Sequence, residues 1–290
     1  MAAALEPGQR LRPGLAARAL LDAWRLVPPQ KPVGRLPGSE LASGVGASLE
    51  MQDRRSYAPG DDVRRLDWGA FARTDQLMVR QYREEVAPKL ELLLDVSASM
   101  GVDADKAQLA VDLAALFCGL ARSAGAPAQL VLLGDQLTLS EPEALDHGVA
   151  FESERPVSEL LSDAAAHARP TAQRVLVSDL LSEVDASGAT RSLAGRTERL
   201  SILQVLSPSE VEPEASGPSR LVDAEGGSSL DVIVDRGAIE AYRRRLERLQ
   251  QSWRESSQRI GGRFLSLTCG PPLTSLCRER LAVEGWLEPR

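Results

Sequence analysis

The run LELLLDVSASM, Leu90 to Met100, decides the fold. Its first half is a near-continuous apolar stretch, the pattern of a strand covered on both faces, as in parallel sheets. The stretch stops at Asp95, and Ser97 and Ser99 follow within four residues. Beyond them, ADKAQLAVDLAALFCGLARSAG carries Leu109, Leu113, Leu116 and Leu120 at helical spacing, with Asp103 or Asp105 as its cap. The result is strand, loop, helix, with a carboxylate and two hydroxyls on the loop at a strand's carboxyl end, where open α/β sheets place their ligands.

Working outward, AQLVLLG, QRVLVSDLL, LSILQVLS and GRFLSLTC read as further strands, and VSELLSDAAAHA as a helix between two of them. Such alternation predicts βαβ units and a parallel sheet. The run QRVLV ends at Ser178 and Asp179, which supplies a second carboxylate at a strand end. Ser207 to Gly227, dense in Pro, Ser, Gly and Glu, reads as a connection or short hairpin. Arg236 to Arg259 places Tyr242, Leu246, Leu249 and Trp253 on one helical face, and SLCRERLAVEGW forms a last helix. LAARALLDAWRL, Leu15 to Leu26, reads as a short amphipathic helix docked on its own domain.

With 290 residues, 43% hydrophobic and only 4% aromatic, the core must be built of Leu, Val and Ala, which suits helices on a parallel sheet. Lys and Arg number 34 against 41 Asp and Glu; the net charge of -7 gives no drive toward nucleic acid or an anionic membrane, so proteins are the expected partners. Cys118, Cys269 and Cys277 lack a Cys-x-x-Cys spacing, which argues against a zinc site or disulfide framework and for a reducing cytoplasm. No run of about eighteen apolar residues suggests a transmembrane segment.

The texture differs before the strand. Three segments are expected: residues 1–33, helical or flexible; 34–89, a β extension; and 90–290, the α/β domain. In the extension, Asp53 to Glu85 sets seven arginines against seven carboxylates. Pro59 and Gly60 mark a tight turn, and Asp61 and Asp62 accept hydrogen bonds from that turn or from Arg64, Arg65 and Arg73. Asp67 follows, and Trp68 is expected to be a core anchor. Gly60, Asp61, Asp62, Arg64, Asp67, Trp68 and Arg73 form either a structural network holding the extension on the domain or a partner-contact surface.

YAPGDDVRRLDWGAFAR, VRQYREE and LLLDVSASM, with LSPSEVEP, LVDAEGG and AIEAYRRRLERL further on, resemble the bacterial family labelled domain of unknown function fifty-eight, over the chain from about Gly34 to its end. The resemblance implies a von Willebrand A-like, Rossmann-like α/β fold and action beside a MoxR-type AAA ATPase, in assembling or activating other proteins. In such a domain Asp95, Ser97 and Ser99 form the first loop of a metal-ion-dependent adhesion site, and Asp179 is its second carboxylate. Mg²⁺ suits these oxygen ligands because it retains several waters and needs few protein groups. Without metal, Ser97 and Ser99 would cap the following helix. The adhesion pattern also wants a threonine; none lies between His147 and Pro156, where Ser153 is the substitute. SDLL stands where many such domains have Asp-Gly.

Catalytic motifs are missing. There is no Gly-Lys pair for a phosphate-binding loop, and His147 and His167 fit no zinc-protease spacing. The enzyme alternative is a Mg²⁺-dependent phosphohydrolase using Asp95, but the second acid of its Asp-x-Asp is Ser97, unsuited to acid/base work near neutral pH. No lysine for that chemistry follows either: Lys106, at the start of the first long helix, is as easily a solvated side chain. Arg243, Arg244, Arg245 and Arg248 make a basic helix face, read as solvated with partner binding as the alternative.

Overall fold

The computed structural model describes residues 3–28, 49–57, 66–84, 90–182, 184–214, 216–224 and 226–290. The chain divides into two compact units, Met1–Val33 with Pro88–Arg290, and Gly34–Ala87.

The larger unit is built on a six-stranded sheet: β1 (Leu90–Asp95), β2 (Ala128–Leu133), β3 (Leu137–Ser140), β4 (Thr171–Ser178), β5 (Thr197–Leu206) and β6 (Arg263–Thr268). The spatial order is β3-β2-β1-β4-β5-β6, with β3 antiparallel to β2 and every other pair parallel. This is the doubly wound, Rossmann-like α/β arrangement that the sequence predicts, and strand order reverses between β1 and β4. Every residue of β1 and β4 is buried, which is why Leu92–Leu94 and Val175–Val177 read as apolar runs and the polar residues flanking them need partners.

Helices α1 (Ala104–Ser123), α2 (Val157–Ala166), α3 (Ala186–Leu193) and α4 (Arg236–Arg259) flank the sheet. Asp103 caps α1 by accepting from the amides of Asp105 and Lys106. Trp253 of α4 is fully buried in a cluster with Leu160, Leu176 and Ile202. The Leu15–Ala19 helix and the turn after it pack on α1, and a Cβ added at Gly119 would lie 2.7 Å from Leu21. Trp24–Leu26 pairs antiparallel with Leu287–Pro289, tying the two ends of the chain together. Ser207 to Gly227 contains a helical turn, Pro208–Val211, and the first strand of a hairpin, Gly217–Val222 paired with Ser229–Val234. The last helix starts at Leu273 and passes into a π turn at Cys277–Leu281.

In the smaller unit, Leu49–Ser56 and Met78–Glu84 form an antiparallel pair with a bulge between Met51 and Asp53. Asp67 is buried and caps the Trp68–Thr74 helix, accepting from the Ala70 amide at 3.0 Å. Trp68 is no core anchor: at the helix's first position it is 62% exposed, set edge-on to Phe71, while Leu66, Ala70 and Val79 supply the buried apolar surface. Arg73 is exposed. Gly60, Asp61, Asp62, Arg64 and Arg65 lie outside the described residues.

A buried ion pair links the two central strands. Glu91 and Arg174 stand opposite each other in register, and Arg174 Nε donates to Glu91 Oε2 at 2.5 Å with both side chains at least 95% buried. The guanidinium also donates to the carbonyls of Leu193, Gly195 and Arg169, so its hydrogen-bonding capacity is nearly filled. Glu91→Ala, which strands that charge, is expected to cost about 3–5 kcal/mol in urea unfolding, whereas Arg220→Ala, which breaks an exposed pair with Asp231, changes stability by about 1 kcal/mol or less.

Candidate functional site

The site lies at the carboxyl ends of β1 and β4, where strand order reverses. Asp95 ends β1, and its Oδ1 accepts from the Ser97 amide at 2.9 Å, closing the loop back on its own strand. Oδ2 accepts from Ser178 Oγ of β4 at 2.6 Å, the short distance of a charge-assisted bond. Asp95 is fully buried. Burial, then the neighbouring Asp179 charge, push its carboxyl up to about 6.

Ser97 and Ser99 point at each other, Oγ to Oγ 3.0 Å, and Ser97 makes no side-chain cap. Asp103 caps α1, so the helix-capping role proposed for the two serines belongs to that residue. Ser153 does reach the loop: it forms a parallel bridge with Ser97, and its carbonyl accepts from the Ala98 amide at 2.8 Å. Its hydroxyl, however, donates to Asp135 Oδ1 at 2.8 Å.

Asp179, just past β4, is held by Gln204 of β5, whose Nε2 donates to the Asp179 carbonyl at 2.8 Å; Gln250 of α4 in turn donates to Gln204 Oε1 at 2.9 Å. Leu180 then takes φ of 53°, in the left-handed region that favours glycine. Its side chain is fully buried in the core, which supplies the packing that offsets the strained backbone.

Lys106, like Trp68, lies in an environment other than the one its sequence neighbours suggest. It is fully buried rather than solvated, and its ammonium donates to Asp179 Oδ2 at 2.8 Å, Glu210 Oε1 at 2.6 Å and the Ser99 carbonyl at 3.1 Å. Burial opposes the charge, but the Asp179 and Glu210 carboxylates outweigh it and hold the Lys106 pKa above its ordinary value. Glu210 was not singled out at all. The signal for it was Ser-Pro-Ser-Glu at Ser207–Glu210: Ser207 Oγ accepts from the Glu210 amide and Glu210 Oε2 from the Ser207 amide, a capping box that fixes this carboxylate beside the end of β5. Tyr242 Oη donates to the Glu210 carbonyl at 2.7 Å.

Asp95, Ser97, Ser99 and Asp179 are thus gathered at one pole of the sheet. Their arrangement does not fit a hydrated divalent cation. Both Asp95 oxygens are engaged, Asp179 Oδ1 accepts from the Leu181 amide at 3.2 Å, Oδ2 faces Lys106, and a positive charge already stands among them. Among the described residues no three His, Cys, Asp or Glu side chains converge as a metal cluster. The thiols are inert: Cys118, Cys269 and Cys277 are buried and free, and burial pushes each up to about 12.

Next to Asp179, Leu181, Val184, Tyr242, Leu246 and Leu249 line an open groove of about 670 Å³, together with Arg245 and Arg248. Ser178→Ala removes the donor to Asp95 and the acceptor of the Leu180 amide at once. It should therefore cost on the order of 2–3 kcal/mol in chemical denaturation, well beyond a surface serine-to-alanine change.

The model of the family described as "Protein of unknown function DUF58" matches residues 53–256. The chain is 31% identical over 281 residues to uncharacterized proteins of Mycobacterium tuberculosis (Rv1480) and Mycobacterium bovis (Mb1516), covering 90% of this chain and 85% of each relative. Among solved structures it is similar to an aerotolerance-related membrane protein from Bacteroides fragilis (TM-score 0.40, 13% identity, 68% of this chain and 98% of that one). A second is BatB, a conserved hypothetical protein from Bacteroides thetaiotaomicron (TM-score 0.37, 12% identity, 68% and 96%). The family match spans more than half of the residues, through both units and the whole of the Asp95 loop, and the chain belongs to the DUF58 family of proteins of unknown function.

Proposed function

We propose that this chain is a non-enzymatic, von Willebrand A-like protein-binding module that works in the cytoplasm with a MoxR-type AAA ATPase in the assembly or activation of other proteins. The observation that carries the non-enzymatic part is the state of Asp95. A phosphohydrolase needs that carboxylate open to its substrate and a second acid two residues on. Here Asp95 is fully buried with both oxygens accepting hydrogen bonds, and the second position is Ser97, whose hydroxyl is paired with Ser99.

The ATPase partnership rests on the resemblance of the Tyr57–Arg73 and Leu92–Met100 blocks to the family pattern. The chain carries no phosphate-binding loop of its own, so ATP chemistry belongs to the partner. Among the described residues no helix is long and apolar enough to cross a membrane. The groove beside Asp179 supplies a contact surface of suitable chemistry: leucines and a tyrosine to bury, and arginines to meet an acidic segment.

Immobilised full-length chain should capture a MoxR-type ATPase of the same genome, and Arg245→Glu with Arg248→Glu should weaken capture by about tenfold or more. In parallel, a panel of phosphate esters with Mg²⁺ or Mn²⁺ should show no turnover. Ester hydrolysis that disappears in Asp95→Asn would overturn the non-enzymatic reading. Absence of capture would overturn the partnership.

A further inference from the structure

We propose that the Lys106 ammonium is a tethered cation that takes the place of a divalent metal at this pole of the sheet, with Glu210 as the carboxylate that closes its coordination. An ammonium has three N–H donors. All three are used, at 2.8, 2.6 and 3.1 Å, by acceptors from three separate places: Asp179 past β4, Glu210 in the turn after β5, and the Ser99 carbonyl in the loop after β1. One charge therefore gathers the ends of three neighbouring strands, which is what a bound metal does in a site assembled from loops.

The surroundings are built for that charge. Gln204 and Tyr242 hold the backbone of the two carboxylate residues, and the capping box orients Glu210. Lys106 side-chain exposure is 0%, against 3% for Asp179 and 17% for Glu210, so Glu210 forms the solvent side of the cluster. A lysine in the first turn of a helix works against the helix dipole. Its presence there is accounted for by the carboxylates and not by α1.

Two consequences follow. The native chain has no need of Mg²⁺ or Mn²⁺ at this pole, and removing the ammonium leaves Asp179, Glu210 and the Ser99 carbonyl as oxygen ligands suited to a hard divalent cation.

The test follows the thermal midpoint of the full chain during Mn²⁺ and Mg²⁺ titration, with calorimetry alongside; it uses no partner, so its outcome is independent of ATPase capture. Wild type is expected to show no binding heat and no midpoint change. Lys106→Ala is expected to start lower and to gain roughly 5–10 °C at a cation concentration about 100 times its Kd. The Lys106→Ala/Asp179→Asn double variant should gain nothing. Lys106→Met, which keeps the apolar stem and drops the charge, replaces Lys106→Ala if the latter does not fold. A wild-type midpoint that climbs with Mn²⁺, or a folded Lys106 variant indifferent to both cations, would overturn the proposal.

Discussion

The geometry of the candidate site depends on one interaction, the Lys106 ammonium set between Asp179 and Glu210. Taking an ammonium out of water costs several kcal/mol, and the cost is offset only where geometry is good and every N–H is met. Both conditions hold here. Because the acceptors come from the ends of β1, β4 and β5, this one charge ties three loops together, alongside the Gln204 bond to the Asp179 carbonyl and the Ser178 bond to Asp95. The Ser97 to Ser99 hydroxyl pair, the Glu210 turn and the left-handed Leu180 all border that cluster.

The central strands carry polar contacts at both ends. Glu91 and Arg174 pair near the start of β1, and Asp95 meets Ser178 at its finish, each across the β1–β4 boundary. A one-residue slip of β4 against β1 would separate both pairs and leave buried charge without partners. Apolar runs such as LELLL and RVLV pack almost equally well in neighbouring registers. The polar pairs discriminate between them, so the same contacts that shape the site also specify the register beneath it.

The fold was legible because its central strands β1 and β4 are buried on both faces and read as near-continuous apolar runs, and because leucines in α1 recur at helical spacing. Asp95, Ser97, Ser99 and Asp179 were legible as a group for the same reason: each lies directly beyond such a run. Lys106 was not, since a lysine in the first turn of a helix is ordinarily solvated and nothing in its own neighbours shows the carboxylates that arrive from 73 and 104 residues away. Glu210 was hidden in a Pro- and Ser-rich stretch that reads as loop, although its capping box is written in four consecutive residues. Trp68 misled because tryptophan is usually buried; at the first position of a seven-residue helix it faces outward while smaller residues fill the interior.

The central claim is that this pole of the sheet is organised by an internal ammonium and not by a metal ion. Crystals of the wild-type chain soaked in Mn²⁺ test it most directly, by anomalous scattering at the manganese edge. The expected result is no manganese peak between the Asp95 loop and Asp179, with Lys106 Nζ in contact with both carboxylates. A peak ligated by Ser97, Ser99 and Asp179, with Lys106 turned away, would contradict the account.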